Sequence, residues 1–228
     1  ASFAAIRLVR GAKSLMTPEF ASAADPVFLH VLELLERIGR GEDPPAAEER
    51  GRIRGWIDQA EARLGQREDW MLAKYALVAW IDDLLIDAPW EGRSWWRENA
   101  LEVEVFNTRL RNEEFYAKAR LASSLTAKDA LEVFYLCVVL GFRGLYRDPA
   151  AAAVLAPPRC LPADLETWAR QTSAAVASGL GRPGISDATQ PGEGAPPLEG
   201  LTTLVSSALT GAVLAAFALI LVWIAFFS

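Results

Sequence analysis

The stretch Asp69–Asp87, DWMLAKYALVAWIDDLLID, decides the fold. Between Trp70 and Ile81 it is apolar nearly all round, interrupted only by Lys74. A helix of that kind has no solvent face and belongs at the centre of a bundle. Pro89 forbids its continuation, because proline lacks an amide and clashes with the preceding turn. The last turn breaks a local rule. Asp82, Asp83 and Asp87 crowd a helix C-terminus, where the macrodipole disfavours negative charge by about 0.3–1 kcal/mol each and Asp83 and Asp87 repel at i,i+4.

Working outward, the apolar residues recur with helical period and no period-2 run emerges. Upstream, a helix is expected to open with Asp25 as N-cap and Pro26 at its first position, to place Val27, Phe28, Val31, Leu32, Leu35 and Ile38 on one side, and to stop near Gly39 and Gly41. A second places Ile53, Trp56, Ile57, Ala60 and Leu64 at helical spacing. Downstream, a fourth contains Leu101, Val105 and Leu110, and a fifth covers Glu113 to Ala122. A sixth opens on Thr126-x-x-Asp129, read as a capping box, and runs ALEVFYLCVVLGF up to Gly141 and Gly144. A seventh spans Pro162 to Ser178, with Leu165, Trp168 and Val176 on one face. The expectation is one all-α domain of about seven helices over residues 1–180.

Beyond it the composition changes. Residues 181–203 begin with GRPGISDATQPGEGAPPLEG and read as a Gly/Pro-rich linker. All charged residues lie in the first 200 positions and none in the last 28. The stretch 204–227, LVSSALTGAVLAAFALILVWIAFF, is 24 residues without charge or proline. As a helix it would be about 36 Å long, enough for a hydrocarbon core of roughly 30 Å. It is expected to be a transmembrane helix that tail-anchors the chain as a single-pass membrane protein, N-terminal domain in the cytoplasm. Ser207, Gly211 and Ala215 form a small-residue stripe along it that permits close helix approach, and with it a homodimer.

The rest of the sequence narrows function mainly by exclusion. A net charge of −6 and a pI near 5.0 argue against a nucleic-acid partner. Cys137 and Cys160 make no disulfide framework and no Cys/His set has zinc spacing. His30, the only histidine, lies among apolar residues and reads as packed rather than catalytic. Nothing points to a cofactor, a metal, a small-molecule substrate or an enzyme. The rule-breaking aspartates remain. One is expected to be structural, paired with Arg143 or Arg147 or capping the next helix, and another to face a partner. On that reading Asp82→Arg or Asp83→Arg abolishes partner capture and leaves melting unchanged.

Two motifs carry a resemblance. Tyr75-Ala-Leu-Val-Ala-Trp-Ile-Asp82-Asp83-Leu-Leu and, some fifty residues on, Leu131-Glu-Val-Phe-Tyr-Leu-Cys-Val-Val-Leu140-Gly141-Phe142-Arg143-Gly144-Leu-Tyr146-Arg147 resemble the DotU/IcmH/TssL family of type VI and related type IVB secretion systems. The resemblance covers about residues 20–180. It implies a place in a bacterial inner membrane, a hook-like domain of two packed three-helix bundles, a non-enzymatic scaffold, and two partners: an IcmF/TssM-like membrane protein and a TssK-like baseplate subunit. It puts the family's acidic pair on Asp82 and Asp83, and the residues expected to bind partners are Asp82, Asp83, Asp87, Arg143 and Tyr146. Where many members have a Gly-Gly pair before aromatic residues, this chain has Arg111-Asn112-Glu113-Glu114-Phe115-Tyr116, and Asn107 stands where a histidine is frequent. The competing reading is a tail-anchored helical regulator of the Bcl-2 type, which would bind a partner helix in a groove.

Overall fold

The computed structural model describes residues 16–178. Nine α-helices occur among them: α1 Pro18–Gly39, α2 Ala46–Leu64, α3 Glu68–Asp87, α4 Gly92–Glu98, α5 Leu101–Phe106, α6 Arg111–Ser124, α7 Asp129–Val139, α8 Pro149–Leu155 and α9 Leu165–Ser178. Short 3-10 turns, Gly144–Arg147 and Pro157–Arg159, flank α8. The all-α expectation stands. Helices α4 and α8 are additions, being seven residues each and too short to show a period.

Helix α3 is the axis. Fifteen of its twenty residues are buried, and it packs against α1, α2, α4, α5, α6 and α7. Lys74, the one cation inside this apolar run, is buried and reaches Glu61 of α2 at 2.5 Å. Beside α3, helices α1 and α2 form an antiparallel pair: Arg63 donates to the Ser22 carbonyl near one end and Arg37 meets Glu49 near the other. The Glu49 side chain is only 1% exposed, so its charge needs partners. His30 Nε2 at 3.0 Å, Arg37 at 3.1 Å and Arg52 at 2.9 Å supply them. His30 is therefore a packed residue of the α1–α2 seam. On another side of α3, helix α7 runs in the same direction, tied by Cys137 Sγ to the Ala76 carbonyl and Trp80 Nε1 to the Leu140 carbonyl. Helix α9 covers α7 and α6 with Trp168, Thr172 and Val176, one residue per turn.

Three expectations are corrected. Helix α1 starts eight residues before Pro26: Thr17 is its N-cap, Pro18 occupies the first turn and Pro26 lies inside. Buried Phe20, Ala23 and Ala24 extend the apolar face upstream, and Phe20 packs edge-on to Trp70 with centroids 6.0 Å apart. That burial outweighs the hydrogen bond proline removes. The capping box at Thr126 does not form. Helix α7 begins at Asp129, whose carboxylate instead accepts the backbone N–H of Thr17 at 2.6 Å and its hydroxyl at 3.0 Å.

The third correction concerns the membrane. Among the described residues no helix is long and apolar enough to cross one. The most apolar long helix, α3, carries Lys74, Asp82 and Asp83 and is enclosed by other helices. The expected transmembrane helix 204–227, the linker 181–203 and the stripe Ser207, Gly211 and Ala215 lie outside the described residues. The described residues thus form an all-α domain with no membrane-crossing helix among them, and they do not bear out the expected fold with a spanning helix or the single-pass inner-membrane assignment.

Candidate functional site

The end of α3 brings the three aspartates to one corner, and their environments differ. Asp82 is fully buried. Its Oδ1 accepts Trp96 Nε1–H at 2.9 Å and the Leu101 amide at 2.9 Å, and its Oδ2 accepts the Glu102 amide at 2.8 Å. Those two amides open α5, so a carboxylate placed badly for its own helix is placed well for the next. Burial pushes the Asp82 carboxyl above the usual range, against the pull of its three donors. Asp82→Arg would bury a second charge and orphan these donors, which overturns the expectation that this change leaves melting unchanged.

Asp83 is 4% exposed and Asp87 48%. Arg147, itself 48% exposed, bridges them: Nη2 lies 2.6 Å from Asp83 Oδ1 and Nη1 bonds Asp87. This arginine relieves the i,i+4 repulsion between the two acids. The Asp83 carboxyl is still raised, chiefly by burial. Its Oδ2 also accepts the Arg143 amide at 3.4 Å. The Arg143 guanidinium donates to the Val138 and Phe142 carbonyls at 3.1 and 3.0 Å, neutralising the C-terminus of α7.

The second motif is built into the core. Gly141 ends α7 with φ +117°. Phe142 is fully buried and stacks on Phe115, centroids 3.9 Å apart. Gly144 has φ +49°, and a Cβ there would sit 2.7 Å from the Phe142 ring, so only glycine fits. Tyr146 is buried, donates to the Pro162 carbonyl at 2.7 Å, and burial pushes its phenol up to about 12. Of the five residues singled out in sequence, Asp82, Asp83 and Tyr146 are buried, and Asp87 and Arg143 reach the surface, as does Arg147.

Sequence reasoning named Arg147 as a possible partner of an aspartate, and it pairs with Asp83 and Asp87; it missed Glu102 as a member of this unit. Glu102 is fully buried; its Oε1 accepts Tyr75 hydroxyl at 3.1 Å, Thr108 hydroxyl at 2.8 Å and the Leu110 amide at 2.9 Å. Its other oxygen faces Arg111 at 3.7 Å. Asp82 thereby fixes the start of α5, and Glu102 fixes the loop from α5 to α6. The only available signal was an acidic residue at the second position of a short helix, which is common.

Among the described residues no group of three or more His, Cys, Asp or Glu is placed to hold a metal ion. Cys137 is buried and Cys160 exposed, both as free thiols.

No curated protein matches the chain. Among solved structures, the cytoplasmic domain of TssL from Acinetobacter baumannii is similar in fold: 20% identity, TM-score 0.54, covering 70% of this chain and 98% of that one. The family model for the type VI secretion system protein DotU matches residues 19–227. Since that match runs over most of the chain and includes both motifs, the chain belongs to the DotU family, whose members are non-catalytic secretion-system scaffolds.

Proposed function

We propose that this domain is the adaptor of a type VI secretion system that holds a TssK-like baseplate subunit to an IcmF/TssM-like protein, and that the corner formed by Asp87, Arg147 and Arg143 is one contact surface. The observation that supports it is the division of labour at the end of α3. Asp82 is held by internal donors and Asp83 by the Arg143 amide and Arg147, while Asp87 and the outer side of Arg147 stand half-exposed. The exposed Asp87–Arg147 pair adds less than about 1 kcal/mol to folding, so Asp87 is free to serve recognition. Family membership supports secretion-system partners over the partner helix of a groove-binding regulator.

The test is capture of purified TssK-like and IcmF-like proteins by the full chain carrying Asp87→Arg or Asp87→Ala, which leave the Arg147–Asp83 pair in place. Capture of at least one partner should fall about tenfold or more, with a melting temperature near wild type. Unchanged capture of both by both variants would remove this surface from the account.

A further inference from the structure

Away from the acidic corner, α6, α7, α9 and the loop after α8 enclose a groove of about 190 Å³. Its walls include Tyr116, Leu131, Leu161, Trp168 and Ala175, with Arg120 at the rim. Small-molecule pockets run roughly 300–1,000 Å³, whereas a cavity of about 150 Å³ takes up benzene. The groove therefore has room for one aromatic side chain; Tyr116 lies closed off behind Trp168, edge-on to it at 5.2 Å, and Trp168 with Leu161 forms the apolar floor.

Charge selects what surrounds that side chain. Arg120 donates one N–H to the Arg159 carbonyl at 2.9 Å, which fixes its guanidinium beside the groove, and no carboxylate of the described residues lies within 4.0 Å of it. Its neighbours are already matched: Arg159 pairs with Glu113 at 2.9 Å and Lys118 with Glu114 at 3.7 Å. Guanidinium donors next to an apolar slot suit a carboxylate. The net charge of −6 opposes an acidic ligand only at long range, since charges beyond about 8 Å are screened at physiological salt.

We infer that this groove is a docking site for an acidic peptide segment of a partner protein, seating one aromatic anchor over Trp168 and Leu161 and setting an adjacent carboxylate on Arg120. This surface is separate from the Asp87–Arg147 corner, so either can fail without the other.

The probe is a blocked, fluorescein-labelled peptide, DDFLD, titrated into the full chain, with KKFLK and DDALD as controls. The acidic peptide should bind saturably, shift the Trp168 indole N–H resonance and weaken as salt rises. Replacing its Phe by Ala, or the chain's Arg120→Glu or Ala175→Trp, should each weaken binding at least about tenfold. The Trp168 shift is read on the wild-type chain, so it decides the matter even if Ala175→Trp misfolds. Absence of saturable binding, equal binding of KKFLK, or an unmoved Trp168 resonance would overturn the proposal. So would a concentration-dependent dimer that Ala175→Trp dissolves, because the groove would then belong to a second copy.

Discussion

Asp82 holds three donors on two oxygens at a point water does not reach. Removing the carboxylate leaves Trp96 Nε1–H and the first two amides of α5 unpaired, each at a cost of about 1–3 kcal/mol. Asp82→Ala should lower unfolding free energy by roughly 3 kcal/mol or more, read by urea titration. The pH dependence has a definite sign. Burial raises this carboxyl in the folded chain, so the fold binds its proton more tightly than the unfolded chain does. Its contribution is full below the ordinary carboxyl value of about 4 and declines as pH rises through the folded value. Asp82→Asn should flatten that decline; a slope identical to wild type would contradict the assignment. That something unusual happens here was legible in sequence, since three acids at a helix C-terminus break the dipole rule. Which acid turns inward was not. The donors that decide it come from Trp96 and the start of α5, and the intervening turn has no periodic signal.

Helices with an apolar stripe, such as α2 and α9, could be read from spacing because 3.6-residue periodicity over about four turns survives the noise of single positions, and α3 from its length of nearly unbroken apolar sequence. Starts were harder. Thr17-Pro18 and Asp25-Pro26 present the same cap-then-proline signature, and the choice between them rests on Phe20 packing against Trp70, a contact between residues fifty positions apart. The cap itself has a long-range component. Asp129, the first residue of α7, binds both the amide and the hydroxyl of Thr17, so one carboxylate links two helix starts. Thr17→Ala should cost about 1 kcal/mol, as a lost N-cap does, and Asp129→Ala a similar amount. Because the two residues share hydrogen bonds, the double variant should lose clearly less than the sum. Additive losses would mean that the link carries no energy.

At the scale of the molecule, the domain is a set of helices gathered on α3, with buried carboxylates fastening one element to the next: Asp82 to α5, Glu102 to the loop before α6, Asp129 to α1. The motif that carried the family resemblance, Gly141-Phe142-Arg143-Gly144-Leu145-Tyr146, serves this fastening, since its glycines and rings are fixed by backbone conformation and packing. Family and fold were therefore readable together, because the same residues specify both. The docking surface is less readable, as it depends on which charges the finished fold leaves outside. The central claim is that Asp87 and Arg147 meet a partner while Asp82 holds the corner from within. Hydrogen–deuterium exchange on the full chain, with and without a TssK-like subunit, tests it most directly. The account predicts that the partner slows exchange at residues 84–88 and 143–148 and leaves 101–106, already protected by Asp82, unchanged; slowing confined to other segments would contradict it.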